Sequence, residues 1–358
     1  MNWTGKRVLV TGHTGFKGSW MSLWLAKLGA EVCGYALVPP TTPSLFEDAG
    51  LAGEMRSEMG DIRDVERLGA VFHSFEPEVV FHMAAQPLVR ASYADPAGTY
   101  STNVMGTVNV LEAIRSVGTV RAAVVITTDK CYENREWVWG YRETDTLGGF
   151  DPYSNSKACA ELVVSCWRNS YFSPVEFGRH RVAIASVRAG NVLGGGDWAQ
   201  DRLVPDIIRA FASGEPVRIR NPRSTRPWQH VLEPLRGYLA VAEHLLDTGP
   251  AEGEAWNFGP DPADARPVEW IVRKLAAVWG EGARWDLDQA PQPHEAQRLQ
   301  LDWSKAAARL GWRPALSLDQ ALELTAQWYR ARLDGQPMRA FTLQQIQQYE
   351  QLAAATAD

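Results

Sequence analysis

The sequence lacks any apolar run that approaches the roughly 18 residues a membrane-spanning helix needs. Its first residues, 1–12, enter a strand-like segment almost at once, which leaves no room for a signal peptide. Cysteine is scarce, and its four positions show neither metal-ligand spacing nor a disulfide framework: Cys33, Cys131, Cys159 and Cys166. We therefore expect a cytoplasmic protein with reduced thiols, no metal site and no membrane partner.

Basic residues are not in excess either, because 36 Lys and Arg stand against 42 Asp and Glu, which gives a net charge of −6. A chain of this balance does not have the basic surface that a general nucleic-acid-binding protein uses. We expect no nucleic-acid partner, and an anionic ligand has to be held by a local pocket rather than by the overall field.

The chain has neither an internal repeat nor a low-complexity linker, and its 358 residues allow one large domain or two coupled domains. In the first half, short apolar runs alternate with amphipathic stretches. Strands are predicted at 6–10, 31–37, 79–82, 122–127 and 182–187, and helices at 18–28, 62–72 and 102–117. This alternation predicts an α/β fold with a doubly wound parallel sheet of the Rossmann type. The looser pattern after about residue 190 predicts a smaller C-terminal substrate-binding cap.

The segment between the first strand and the first helix carries glycines three residues apart. Such spacing allows a tight turn and the close approach of a pyrophosphate, which then faces the free N–H groups and the positive dipole end of the helix. The pattern G-x-x-G-x-x-G resembles the short-chain dehydrogenase/reductase superfamily. The predicted dinucleotide-binding residues of this loop are Gly12, Thr14, Gly15, Phe16, Lys17 and Gly18.

One element of the dinucleotide fingerprint is absent. The fingerprint has an acidic residue at the end of the second strand, where it binds the adenosine ribose, but residues 33–36 are Cys-Gly-Tyr-Ala. Tyr35 can pack on the ribose, or it can be a core aromatic at the end of the strand, and both interpretations stay open. The expectation of NAD rather than NADP therefore rests on the resemblance.

The resemblance implies further cofactor residues on the turns that follow other strands. Members of the superfamily hold the adenine near the position of Asp61, although Asp61 could equally cap the helix predicted at 62–72. Asn103 is interpreted as a hydrogen-bonding residue that holds the small-residue turn at 83–86. The set implied beyond the glycine loop is Tyr35, Asp61, Ile62, Ala84, Ala85, Gln86, Asn103, Thr127, Tyr153 and Lys157.

Tyr153 and Lys157 occupy positions i and i+4 of a predicted helix, so their side chains share one face. A phenol with a pKa near ~10 needs help to act as a base at neutral pH, and a nearby ammonium favours the phenolate. Thr128, Asp129 and Lys130 follow a predicted strand, where parallel sheets place ligand-binding side chains. An acid beside an amine suits the elimination of water, whereas a polar turn with a surface ion pair is the alternative interpretation.

These motifs together carry a more specific resemblance, which extends over essentially the whole chain. Five segments are similar to the CDP-glucose 4,6-dehydratases: the glycine loop, Thr-Asp-Lys-Cys-Tyr at 128–132, and the segments 188–198, 226–231 and 294–296. In the related dTDP-glucose dehydratases the position of Lys130 is typically glutamate, so the lysine favours the first group.

The resemblance implies a cytoplasmic NAD-dependent enzyme that oxidises a nucleotide-linked hexose at C4, eliminates water across C5 and C6, and returns the hydride to C6. Tyr153 and Thr128 would act at the 4-hydroxyl, with Lys157 supporting the phenolate. Lys130 would be the base at C5 and Asp129 the acid for the departing 6-hydroxyl. The implied substrate contacts are Asn191, Trp198, Arg202, Arg220, Arg226 and Glu295.

A division of the chain and a partner are implied as well. Residues 1–190 are expected to bind NAD, with a returning segment near 230–260, and residues 191–229 and 261–358 to bind the nucleotide sugar. A homodimer is expected to pack the helices at 102–115 and 154–167 of each subunit into a four-helix bundle. Their apolar residues could equally be buried against the sheet: Val108, Leu111, Leu162 and Val163.

Two alternatives remain open at this stage. Another nucleotide-sugar enzyme, such as a GDP-mannose or dTDP-glucose 4,6-dehydratase or a 4-epimerase, would share the fold and most motifs, although an epimerase does not need the pair Asp129 and Lys130. A non-catalytic NAD-binding regulator is the second alternative, since a fold alone does not determine function. Such a protein would be expected to lose Tyr153 or Lys157, and both are present.

Overall fold

The computed structural model of the chain describes residues 2–280, 283–288 and 298–356. The strands in these residues are β1 (Arg7–Thr11), β2 (Glu31–Ala36), β3 (Arg56–Met59), β4 (Val79–His82), β5 (Ala122–Ile126), β6 (Ala183–Ala189), β7 (Val192–Leu193), β8 (Val217–Ile219), β9 (Thr225–Pro227), β10 (Gln229–His230), β11 (Ala255–Phe258), β12 (Ala265–Pro267) and β13 (Trp285–Leu287).

Seven of these strands form one sheet in the spatial order β11-β6-β5-β4-β1-β2-β3, and every neighbouring pair in it is parallel. From β1 the chain runs outward through β2 and β3 and then returns to β4 on the other side of β1. The turns after β1 and β4 therefore leave in opposite directions and open a crevice at the carboxyl ends of the strands. The predicted doubly wound sheet is confirmed.

Helices cover both faces of the sheet. They are α1 (Phe16–Lys27), α2 (Leu45–Asp48), α3 (Val65–Phe75), α4 (Val89–Ala94), α5 (Pro96–Tyr100), α6 (Gly106–Val117), α7 (Pro152–Ser170), α8 (Phe177–His180), α9 (Leu203–Ser213), α10 (Leu232–Thr248), α11 (Val268–Trp279), α12 (Ser304–Leu310), α13 (Leu318–Leu333) and α14 (Met338–Ala355). No helix in the described ranges has both the length and the apolar character needed to cross a bilayer.

Two helix boundaries differ from the prediction. The helix predicted at 62–72 begins at Val65, because Asp64 and not Asp61 caps it by accepting the N–H of Arg67. The helix predicted at 102–117 begins inside a turn of π-helix at Ser101–Met105 and continues as α6, and α5 directly precedes that turn. Local widening of this kind is common near functional sites, and here it contains Asn103.

Alternating side chains of the strands build two separate apolar layers. Val8 and Val10 of β1 belong to a layer shared with α1, α10 and the C-terminal helices, whereas Leu9 between them faces a layer shared with α3, α6 and α7. All three side chains are fully buried. Because both faces are covered, the strands read as continuous apolar runs, which explains why they were visible in the sequence.

The second half of the chain contributes to the central sheet as well as to the carboxyl-end crevice. β11 pairs with β6 at the edge of the sheet, and α10 packs between them and the C-terminal helices. The last helix returns to the first one, where Trp24 Nε1 of α1 donates to Glu350 of α14 at 2.8 Å.

A buried carboxylate on α10 anchors this C-terminal part. Glu233 accepts the N–H groups of Ala315 and Leu316 at 2.9 and 2.7 Å, and the hydroxyl of Tyr349 at 2.8 Å. Burial raises the pKa of Glu233, and these hydrogen bonds oppose that rise.

We expect Glu233→Leu to lower the free energy of unfolding by about 3 kcal/mol, because two backbone N–H groups and a phenol lose their acceptor. Glu233→Gln keeps a carbonyl acceptor and should cost at most about 1 kcal/mol. Urea unfolding followed by tryptophan fluorescence compares the two variants. Equal stability of the leucine variant and the wild type would contradict the anchoring role.

Candidate active site

A cavity of about 940 Å³ occupies the carboxyl ends of the central strands. It is walled by the turns after β1, β4, β5 and β6 and by segments of the second half of the chain. The residues predicted from sequence that line it are Gly12, Thr14, Gly15, Phe16, Lys17, Gly18, Asp61, Ile62, Ala84, Ala85, Thr127, Thr128, Asp129, Lys130, Tyr153, Lys157, Asn191, Trp198, Arg202, Arg220 and Arg226.

The glycine loop packs against the turn after β4 at a distance that only glycine permits. Gly12 has a φ of +79°, and a Cβ there would lie 2.7 Å from the backbone nitrogen of Ala84. A Cβ on Gly18 would lie 2.1 Å from the carbonyl oxygen of Gly12. The N-cap of α1 is Gly15, which has no side chain to occupy the first N–H groups of the helix. This cradle fits a dinucleotide pyrophosphate.

The turn after β4 is held from behind by Asn103. Its amide oxygen accepts the N–H of Gln86 at 2.8 Å, and its amide nitrogen donates to Gln86 O at 3.0 Å and to Ser156 Oγ at 2.9 Å. Neither Gln86 nor Asn103 is among the residues that line the cavity. They connect the turn with α7, and their predicted contact with the cofactor is replaced by this supporting arrangement.

The structure does not place Tyr35 in the cavity. Its side chain is fully buried in the layer beneath β2, and its hydroxyl donates to the carbonyl oxygen of Asp61 at 2.9 Å. Of the two interpretations, the core aromatic is therefore the one observed. Asp61 itself lines the cavity, and hydrogen bonds from Arg63 hold its pKa below the usual range despite partial burial.

Tyr153 and Lys157 project from the first turns of α7, whose N-cap Asp151 accepts the N–H of Ser154 at 3.0 Å. Burial raises the pKa of Tyr153 to about 12, against a hydrogen bond with Thr128 and the positive charge of Arg202. Burial lowers the pKa of Lys157 to about 8, and its ammonium donates to Ile126 O at 3.1 Å. Both shifts have the same cause, which is the loss of water around the charged form.

The turn after β5 presents Thr128, Asp129 and Lys130 to the same cavity. Thr128 Oγ1 donates to Asp129 Oδ1 at 3.0 Å, whereas Asp129 Oδ2 is buried without a hydrogen-bond partner. Burial raises the pKa of Asp129, although Lys130, Thr128, Arg226 and Lys17 oppose the rise. The surface ion pair considered as an alternative is excluded for Asp129, because its side chain is buried.

Three polar residues of the cavity wall were not identified from the sequence, and they are Arg90, Asp197 and Asp201. Asp201 accepts from Arg90 at 3.1 Å and from Arg220 at 3.0 Å, and Asp197 accepts from Arg202 at 2.9 Å. Asp197 was present in the 188–198 motif, so its carboxylate could have been suspected. Nothing in the local pattern distinguishes Arg90 or Asp201 from surface charges.

Lys17 was predicted only as part of the glycine loop, but its amine is one of the most perturbed groups of the site. Burial lowers the pKa of Lys17 to about 7, with the charges of Arg202 and Lys157 acting in the same direction. The acidic groups Asp129 and Asp197 oppose this shift.

Among the other residues considered from the sequence, some lie at the cavity and others only pack in the interior. Arg226 is buried on β9 near Asp129, and Trp198 lines the cavity with its ring edge-on to Tyr329. His230 packs edge-on against Trp20 and has its pKa lowered to about 3 by burial, which agrees with a packing role. Glu295 lies outside the described residues. Across the described ranges, no group of three His, Cys, Asp or Glu side chains could hold a metal ion.

The family model described as GDP-mannose 4,6 dehydratase matches residues 9–325. The chain belongs to this family. Within it, a CDP-glucose 4,6-dehydratase of Salmonella typhimurium strain LT2 is 58% identical over 347 residues, which cover 97% of this chain and 97% of that protein. A dTDP-glucose 4,6-dehydratase of the same strain is 25% identical over 91% of this chain and 93% of that protein.

Solved structures agree with this membership at the level of the fold. A UDP-glucose 4-epimerase of Thermotoga maritima, in complex with UDP-glucose, has a TM-score of 0.78 at 23% identity and covers 91% of this chain and 99% of that one. A dTDP-glucose 4,6-dehydratase of Streptomyces venezuelae, with NAD bound, has a TM-score of 0.75 at 24% identity, covering 92% and 98%.

In this member of the GDP-mannose 4,6 dehydratase family we expect Gly12→Ala to lower the free energy of unfolding by about 1–3 kcal/mol, because it combines a strained φ with a backbone clash. Gly69→Ala on α3 is the control, since a Cβ there meets no atom within 4 Å. It should stabilise the helix by about 0.5–1 kcal/mol. Thermal unfolding of both variants gives the comparison, and an unchanged midpoint for Gly12→Ala would refute the close packing.

Proposed function

We propose that this chain catalyses the NAD-dependent dehydration of CDP-D-glucose to CDP-4-keto-6-deoxy-D-glucose. The observation that carries the proposal is the convergence of Tyr153, Thr128, Asp129 and Lys130 on one cavity beside the glycine loop. The 58% identity to a CDP-glucose 4,6-dehydratase over nearly the whole chain supports the choice of nucleotide sugar.

The cofactor would be held along the turns after β1, β3 and β4. The glycine loop and the N-terminus of α1 suit the pyrophosphate, Asp61 and Ile62 the adenine, and Ala84 and Ala85 the close passage of the ribose and nicotinamide. When bound, NAD supplies a hydride acceptor for C4 and then a hydride donor for C6.

Tyr153 takes the proton of the 4-hydroxyl while Thr128 hydrogen-bonds the same oxygen. With its pKa raised to about 12 by burial, the phenol is a poor base on its own. Positive charge favours the phenolate, and the guanidinium of Arg202 supplies it. Lys157 lies on the same helix face, and the proposal assigns it the same support. The ketone formed at C4 makes the hydrogen at C5 acidic.

Elimination then breaks the C5–H and C6–O bonds and forms the C5–C6 double bond. Lys130 removes the proton from C5, and Asp129 donates a proton to the departing 6-hydroxyl, which leaves as water. When the hydride adds to C6, Lys130 returns the proton to C5. An acid must carry its proton at working pH, and the raised pKa of buried Asp129 suits that task. A 4-epimerase needs neither group, so this pair favours the dehydratase.

Basic side chains in the cavity wall suit the nucleotide diphosphate. Arg226, Arg202 and Arg220 line the cavity together with Asn191. A guanidinium can hold phosphate oxygens with two parallel hydrogen bonds.

The proposal includes the division into a cofactor part, 1–190 with a returning segment near 230–260, and a nucleotide-sugar part, 191–229 and 261–358. It also includes a cytoplasmic location and a place in deoxysugar and lipopolysaccharide synthesis, which rest on the substrate class.

We expect kcat/KM for CDP-glucose to exceed that for dTDP-glucose, UDP-glucose and GDP-mannose by at least about tenfold, because correct polar contacts to one base leave unpaired groups with another. Formation of the 4-keto-6-deoxy sugar is followed by its absorbance in alkali. Tyr153→Phe should lower kcat by about 10²–10⁴-fold.

Tyr171→Phe, at the exposed end of the same helix, is the matched control and should leave kcat unchanged. Formation of a galactose epimer in place of the keto sugar would replace the proposal by an epimerase. Full turnover in Tyr153→Phe would contradict the role of Tyr153 as the base. Absence of turnover in the wild type with every nucleotide sugar would favour the non-catalytic NAD-binding protein.

We propose further that the protein forms a homodimer through the outward faces of α6 and α7. Leu111, one of the residues considered for this face, is buried against the sheet instead. Leu162 of α7 is 59% exposed, and Met105 next to α6 is 52% exposed. An apolar side chain exposed on each helix is compatible with a four-helix bundle of two subunits.

We expect Leu162→Arg to convert a dimer into a monomer in sedimentation velocity, because a charge at the centre of an apolar bundle loses its hydration. Leu333→Arg at the end of α13, where the leucine is 54% exposed, is the matched control and should leave the sedimentation coefficient unchanged. Dimers of unchanged affinity in Leu162→Arg would remove this face from consideration.

A further inference from the structure

A buried ion pair lies behind Thr128, Asp129 and Lys130, which are called the catalytic turn from here on. The carboxylate of Glu161 and the guanidinium of Arg188 meet in a two-pronged contact, with Nε on Oε1 and Nη2 on Oε2, both at 2.9 Å. Only 3% of each side chain is exposed. Neither residue lines the cavity, so neither can touch a bound substrate.

The pair joins the elements that carry the reacting groups. Glu161 Oε1 also accepts from Thr127 Oγ1 at 2.5 Å, and Oε2 accepts from Ser186 Oγ at 2.6 Å. The carboxylate of α7 thereby reaches the residue after β5 and the middle of β6. Thr127 is the residue immediately before the Thr128–Lys130 turn.

Arg188 extends the connection on its other side. Its Nη1 donates to the hydroxyl of Tyr132 at 2.7 Å and to Glu143 O at 3.1 Å. The Tyr132 hydroxyl in turn donates to Asn257 Oδ1 on β11 at 2.8 Å. The ion pair therefore holds the catalytic turn on both sides. Glu161 binds Thr127 just before the turn, and Arg188 binds Tyr132 just after it.

Helical spacing places Glu161 on the same face of α7 as Tyr153, the proposed base, and Lys157, which supports it. Tyr153, Lys157 and Glu161 are four residues apart on α7, so they form one row along one face. The negative charge of Glu161 thus lies one turn beyond the ammonium of Lys157. The titratable groups whose charges act on Lys157 or respond to it are Glu161, Cys131, Lys17 and His82.

The charge of Glu161 opposes the effect of burial on Lys157. Burial lowers the pKa of Lys157 to about 8, and Glu161 is the larger of the two groups that raise it, followed by Cys131. Lys17 and His82 supply no anion. Without the carboxylate, the amine of Lys157 would lose its proton at a lower pH.

Stability alone does not account for such a pair. A buried ion pair is often no more stabilising than apolar residues of the same volume, because both charges lose their hydration. A positioning role does account for it, because the two-pronged contact fixes α7 against β6 and the hydrogen bond from Thr127 ties the segment after β5 to both.

We propose that Glu161 and Arg188 are positioning residues of the active site, which lock the Thr128–Lys130 turn to the helix of Tyr153 and place a carboxylate one turn beyond the amine of Lys157. The inference rests on the proposed function for the roles of these groups. Its physical content, however, concerns the chain alone and can be measured without substrate or cofactor.

The test is an NMR titration of the protein labelled with ¹³C at the lysine ε-carbons, with Lys157→Met used to assign the signal. We expect a midpoint near 8 in the wild type. In Glu161→Gln the midpoint should fall by roughly one unit or more, because a neighbouring opposite charge is removed. Glu269→Gln, which breaks an exposed glutamate–arginine pair on α11, is the matched control and should leave it unchanged.

Glu161→Gln leaves a buried guanidinium without its partner, which can prevent folding. The double variant Glu161→Gln with Arg188→Met removes both charges and keeps a side chain of similar volume at 188. The Lys157 midpoint should fall in this variant too. A folded single or double variant with an unchanged midpoint overturns the proposal.

Kinetics give a second readout. In the double variant the alkaline limb of the kcat profile should move to lower pH together with the Lys157 midpoint, while KM for the nucleotide sugar stays within about twofold, since no substrate contact is removed. A rise in KM with an unmoved alkaline limb would assign the pair to substrate binding or general stability. Failure of the proposed function shows separately, as full turnover in Tyr153→Phe.

Discussion

Because Gly12 has no side chain, the turn after β1 can lie directly against the turn after β4, and the active site depends on this close packing. Thr11 Oγ1 accepts the N–H groups of Met83 and Ala84, both at 3.1 Å, so the two turns are joined as well as adjacent. Asn103 continues the connection to α7. The glycine loop, the small-residue turn and the helix of Tyr153 are therefore joined by one continuous set of hydrogen bonds.

Burial is the common cause of the acid–base character of the site. It raises the pKa of Tyr153 and Asp129 and lowers that of Lys157 and Lys17. Each shift brings a group toward its neutral form, so the chemistry depends on where compensating charges are placed. Arg202 is held by Asp197 on one side of the cavity, and Glu161 is held by Arg188 behind it. The charges that matter most are thus fixed by partners of their own.

Most of the sheet and the core of the site could be predicted, because both leave local signals. Strands buried on both faces appear as apolar runs. The glycine spacing and the Tyr153–Lys157 interval can be recognised in the sequence without knowledge of the fold. Tyr35 and Leu111 could not be assigned, since the same aromatic or aliphatic residue suits a pocket, an interface or a core. Arg90 and Asp201 meet across 111 positions of sequence, and such pairs have no local signature. The start of α3 was misplaced because Asp61 and Asp64 are both acceptable caps.

The contact between Trp24 and Glu350 links residues 326 positions apart. During synthesis on the ribosome, the face of α1 that contacts α14 therefore stays uncovered until residue 350 has been added. Strand β11, at the sheet edge, is likewise delayed until more than two-thirds of the chain has been translated. Until then the nascent chain has an incomplete sheet with an unpaired strand edge, which is the kind of surface that promotes aggregation and that chaperones protect.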